Sequence, residues 1–130
     1  MTVPTVATYS AAAKIAAHTT FRDLIDSGSG AGFVRVRDSA DVLLAEIPLD
    51  DPCGSVNGTT GQITFAFDGR DEDAAAGGTA AYGEFCDSTG AVHLALPAQA
   101  GSVAVSGKLV LNTLTIILGQ PVEITAATIG

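Results

Sequence analysis

Tryptophan is missing from this chain, and charged side chains are scarce. They make up 15% of its 130 residues, against about 25% in an average soluble domain. So few ions cannot cover a folded surface, and part of that surface is expected to lie against a partner or a second copy of the chain. The competing explanation is that many apolar atoms here belong to small residues, alanine above all. Basic residues are rarer still. Lys14, Arg22, Arg35, Arg37, Arg70 and Lys108 are scattered, and the net charge is −8. A phosphate-binding face needs clustered Lys and Arg, so nucleic acid and anionic membrane are not expected partners.

Long apolar runs are also lacking, although mean hydropathy is positive. The longest aliphatic stretch, 109–118, is interrupted by Asn112, Thr113 and Thr115, far short of the roughly 18 residues that cross a bilayer. The alanine run at 11–17 contains Lys14 and follows no basic residue, so it does not read as a signal or transit peptide. Synthesis in a reducing cytoplasm is therefore expected, with Cys53 and Cys86 as free thiols rather than a disulfide.

Groups that carry chemistry are few. The two histidines, His18 and His93, have no ligand at metal-binding spacing, and neither cysteine sits beside a histidine or a basic cluster. No nucleophile elbow is present. The glycines at 28–32 follow a helix pattern and precede a strand pattern, the reverse of a phosphate cradle. Asp68, Asp71, Glu72 and Asp73 form the one dense polar group, but their spacing is not that of an EF-hand, and an acidic loop run is ordinarily just solvated. The sequence therefore predicts no enzyme, no catalytic residue, no cofactor and no metal site.

What the chain does contain is β-structure, including a hairpin written twice. Phe33 to Ile47 and Tyr82 to Leu96 each run as an alternating segment, an Asp-Ser turn and a second apolar-rich segment. Short Asp and Ser side chains bond backbone N–H groups two residues on and so initiate turns, and Gly90 can close the second turn at positive φ. A helix is predicted over 10–26, with Ser10 as N-cap and Phe21, Leu24 and Ile25 as its packing face; His18 falls off that face. Residues 50–61 read as a loop, 62–67 as a strand, 68–78 as an acidic loop, and 109–118 and 121–129 as two closing strands. Seven or eight strands with frequent turns predict an all-β fold. The expectation is an antiparallel β-sandwich, jelly-roll-like, with one short N-terminal α-helix. The expected organisation is an extended arm at 1–9 and a single domain at 10–130.

The helix ending Phe21-Arg-Asp-Leu-Ile-Asp-Ser-Gly28, the two strand–Asp-Ser–strand units and the tail Leu109 to Ile129 together resemble the head decoration, or cement, proteins of tailed bacteriophages. That resemblance implies a jelly-roll or sandwich domain on the outer capsid surface of the virion, made in the bacterial host cytoplasm. By the same resemblance the chain is expected to bind the major capsid protein, to work as a homo-oligomer (a dimer or trimer) and to have no catalytic residues. Two other classes share the composition. One is a carbohydrate-binding or adhesin-like module, which would need an exposed aromatic platform. The other is a head–tail or tail structural module, which differs in symmetry. The arm is the expected partner interface, through Val3, Pro4, Val6 and Tyr9. Three β-branched or aromatic anchors without a charge suggest docking, since a free tail is normally polar; folding back as an edge strand on its own domain is the alternative.

Overall fold

The structure, a computed structural model, describes residues 8–130. Ser10 holds an extended backbone and its hydroxyl accepts a hydrogen bond from the Ala13 N–H, capping helix α1 over Ala11–Ile25. Alanine favours the helix at its start, and Asp26 ends it, its N–H bonding to the Arg22 carbonyl. The buried face is shifted from the one the sequence predicts: Ile25 is on it and Phe21 is half-buried, but Leu24 is not, and His18 is. His18 and Ile25, seven residues apart, are fully buried, whereas Leu24 is 41% exposed. His18 can be buried because its Nδ1 lies 2.6 Å from the Gly61 carbonyl oxygen, and a buried polar group with a partner costs little.

Nine strands follow among the described residues: β1 (Phe33–Arg37), β2 (Leu43–Val56), β3 (Ile63–Phe67), β4 (Gly78–Thr79), β5 (Tyr82–Cys86), β6 (Val92–Ala100), β7 (Lys108–Leu111), β8 (Thr115–Ile116) and β9 (Ile124–Ile129). The two hairpins of the sequence are β1–β2 and β5–β6, and they match in detail. In one, Asp38 Oδ1 accepts from the N–H groups of Ala40 and Val42; in the other, Asp87 Oδ1 accepts from those of Thr89 and Ala91. Asp41 and Gly90 take the positive φ that closes each turn. The register slips at equivalent places, between Val36 and Arg37 and between Phe85 and Cys86. The hairpins also pair with each other. β1 and β5 run antiparallel, with Arg35 opposite its own counterpart Glu84. A local twofold relation therefore passes between those two residues, every position matching one 49 residues on.

The predicted sandwich is not what forms. Seven strands close into a barrel in the order β1-β2-β3-β9-β7-β6-β5, and β4 pairs only with β8. Two long strands cause the closure. β2 runs through 50–56, read as loop from its Asp, Pro and Gly content, so its first half pairs with β1 and its second half with β3. β6 extends past β5 to pair with β7. That pair is parallel, so the fold is not purely antiparallel either. The tail is also broken up. Instead of one strand over 109–118, β7 stops at Leu111, and Thr115–Ile116 leave the barrel to join β4.

The interior is filled by alternating inward residues, among them Val34, Val36, Ile47, Ile63, Phe85, Leu109 and Leu111, all fully buried. The rings of Phe65 and Phe85 meet at 4.5 Å between centres. Gly83 faces inward where a Cβ would lie 2.4 Å from Leu109 Cδ2, so the small residue on β5 makes room for the large one on β7. The strand directions define two barrel ends. α1, the Asp87–Ala91 turn, the loop at Gly61 and Gly130 lie at one, here the helix end. The Asp38–Val42 turn, the β4–β8 flap and the segment 112–122 lie at the other, the flap end. Ile25 helps to plug the first and Ile116 the second.

Candidate functional site

At the flap end, the segment between β7 and β9 folds around an open groove of about 300 Å³. Ile116 and Val122 are buried in its wall, while Pro121 and Ile117 are exposed. Asn112, Thr113, Thr115 and Gln120 complete the lining with polar groups. Leu118, beside the groove, is 65% exposed and Ile117 61%. Ile116, Ile117 and Leu118 are consecutive, and a strand can turn only alternate residues inward; Gly119 and Gln120 then make the turn. That triplet before a Gly-Gln-Pro turn is the sequence signal for an apolar corner, although the pattern alone assigns it to the end of a strand over 109–118.

The acidic loop holds this corner in place. The Asp71 N–H donates to the Val122 carbonyl at 3.0 Å and the Val122 N–H returns the bond at 2.7 Å. The carboxylate of Asp71 accepts from the N–H groups of Glu46 and Asp73. Further on, Ala74 bonds to Gln120 and Gly119 to Ala74 through their backbones. Asp71 thus acts as a latch between loop, barrel and groove. Among the described residues, no three His, Cys, Asp or Glu side chains converge on a point that could hold a metal ion.

Of the expected interface residues, Val3, Pro4 and Val6 lie outside the described residues. Tyr9 is 46% exposed at the helix end. Its hydroxyl is 3.3 Å from His18 Nε2, its ring meets the imidazole edge-on, and Lys14 Nζ stands 5.6 Å from its centre. His18 therefore ties Tyr9, just ahead of the N-cap, to the barrel through Gly61. The sequence reading missed this role because an isolated histidine gives no periodic signal.

His93 projects from β6, and its Nε2 lies 2.9 Å from Asp87 Oδ2. The Thr89 hydroxyl donates to Asp87 Oδ1 at 2.6 Å. Chiefly the Thr89 bond, then that of His93, with backbone N–H groups in support, hold the Asp87 carboxyl well below the usual carboxylate range. These bonds serve the turn. The thiols are buried and unpaired. Burial, with Asp26 beside it, pushes the Cys53 thiol up to about 12, and burial raises that of Cys86 as well, the opposite of an activated nucleophile.

Around the local twofold axis the outer face carries a charge ladder. Arg37 pairs with Glu84 and donates to the Asp41 carbonyl, and the Tyr82 hydroxyl donates to the Asp41 carboxylate at 2.7 Å. In the matching place across the axis, the Arg35 guanidinium lies 4.9 Å from the centre of the Phe33 ring. These groups satisfy one another. No family model, no curated protein and no solved structure matches the chain.

Proposed function

We propose that this protein is a structural subunit that decorates the outside of a bacteriophage capsid and stabilises it by binding the major capsid protein. The observation that carries the proposal is the apolar corner at the flap end, where Ile117 and Leu118 face solvent beside an open groove. An aliphatic surface of this kind is a place for protein to dock. The sequence resemblance to cement proteins supplies the kind of partner. The acidic balance suits the outer surface, since packaged DNA would repel it from within. The carbohydrate-binding alternative needs rings to stack on sugars; among the described residues the large exposed apolar side chains are aliphatic apart from Tyr9.

The test is cosedimentation of the purified protein with capsids assembled from the major capsid protein of the same genome, followed by electron microscopy. Regular extra density on the outer surface is expected. Failure to sediment with capsids, together with binding on a glycan array, would move the assignment to the sugar-binding class.

A further inference from the structure

We propose that the groove at the flap end receives the N-terminal segment of a neighbouring copy, so that subunits join helix end to flap end. The proposal goes beyond the reading above: within the flap-end corner it assigns the groove to the segment before the helix of a second copy, and leaves Leu118, exposed beside the groove, to the capsid contact. Tyr9 is tied to His18 at the helix end, beside Gly61 and Gly130, so the chain ahead of it leaves from there. The groove, with Val122 in its wall, is at the opposite end. Eight residues along and beyond β9 separate Val122 from Gly130, about 26 Å at ~3.3 Å per residue. Val6 can extend at most about 11 Å from Tyr9, and Val3 about 22 Å. Both anchors together cannot occupy the groove of their own barrel. A copy stacked with its flap end against this helix end brings its groove within their reach.

Charge points the same way. Asp71 is bridged to Val122, Glu123 follows it, and Asp73 lies against Gly119. Two copies of an acidic chain repel. The stretch before Lys14, the first charged side chain, carries no acidic side chain and can enter an acid-flanked groove without that repulsion. The groove's chemistry suits such an occupant. Ile117, Pro121 and Val122 offer contact for valine side chains, and Asn112, Thr113 and Gln120 offer partners for an extended backbone. Donor and acceptor surfaces differ, so the contact is heterologous and either closes a ring or continues to grow.

Two variants test this. One lacks residues 2–8. The other is Ile117→Arg, a change at an exposed position, and thermal unfolding confirms that both are folded. Light scattering after gel filtration should show concentration-dependent assembly of the wild type and monomers of each variant alone. Mixed in equal amounts, the variants should form a complex of two chains that grows no further, because one lacks a donor and the other an acceptor. A mixture that stays at monomer mass, or an Ile117→Arg protein that assembles like wild type, would overturn the proposal. Capsid binding is scored separately. If the mixed pair forms but neither wild type nor pair binds capsids, the decoration reading fails and the inference stands. If the deletion abolishes capsid binding while the mixture stays monomeric, the segment clamps capsid protein and the inference falls.

Discussion

Asp87 concentrates more bonds than any other single side chain discussed here: two backbone N–H groups, the Thr89 hydroxyl and His93. Its folded pKa is lowered, so the stability it provides is present above the ordinary aspartate pKa of about 3.9 and is lost as pH falls through the folded value. Asp87→Ala should therefore lower the melting temperature at neutral pH, and the gap to wild type should narrow steadily as the pH is taken below about 4. On α1, Ile25→Ala should cost about 2–5 kcal/mol in urea unfolding, whereas Leu24→Ala should stay within about 0.5 kcal/mol of wild type. That contrast also marks what was legible at this scale. Ile25 declared itself by spacing, but the true face runs through His18, whose burial depends on a carbonyl 43 residues away that no local pattern reveals. The buried thiols should resist a thiol reagent in the native protein at pH 8 and react at once in denaturant; rapid native labelling of Cys53 would contradict its burial.

Among the elements, the two hairpins were readable because their turns are made by local chemistry: an aspartate bonding N–H groups two and four residues on, then a residue at positive φ. The same logic yields a prediction across the twofold relation. Asp41 holds at φ 64° the place that Gly90 holds at φ 90°. Gly90→Asn should therefore cost less than about 1 kcal/mol, while Gly90→Val should cost more, about 1–2 kcal/mol, because a β-branched residue is strained there. Comparison of the two by urea unfolding settles the order. The second half of β2 was not legible. Asp50, Asp51, Pro52 and Gly54 have the composition of a loop; the ladder to β3 breaks after Leu49 and resumes at Gly54, so the strand passes through this stretch irregularly, held by β3 on either side of it. Gly54 is needed there, since a Cβ would sit 2.6 Å from the Thr64 carbonyl oxygen. The groove was illegible for the same reason: it is made where 112–122 meets the acidic loop, a meeting fixed by Asp71 and Val122 over a long sequence separation.

For the molecule as a whole, the difference between a sandwich and a barrel lies in whether β6 finds β7 and β3 finds β9. Both strand lengths and both pairings are tertiary facts, which is why composition could deliver an all-β fold with one helix but not its closure. Each of the barrel's seven strands has a neighbour on both sides, so among the described residues little of the barrel is left as free edge for another chain. That makes the apolar corner and the segment before the helix, rather than an open strand, the expected means of the association proposed above.

Closure has a consequence in time. The hairpins pair residues close in sequence, and each can form by itself in about 1–10 μs. The seam between β3 and β9 joins Ile63 to Ile129, and the chain between them must be gathered before that pairing returns any free energy. Folding should therefore be slow for so small a protein, in the range of milliseconds to seconds. Substitutions in the Asp38 and Asp87 turns should retard it, whereas those at Ile63 or Ile129 should mainly hasten unfolding. Stopped-flow refolding would show which part forms first. If the seam variants slowed folding more than the turn variants, the barrel would instead be nucleated where its two distant ends meet.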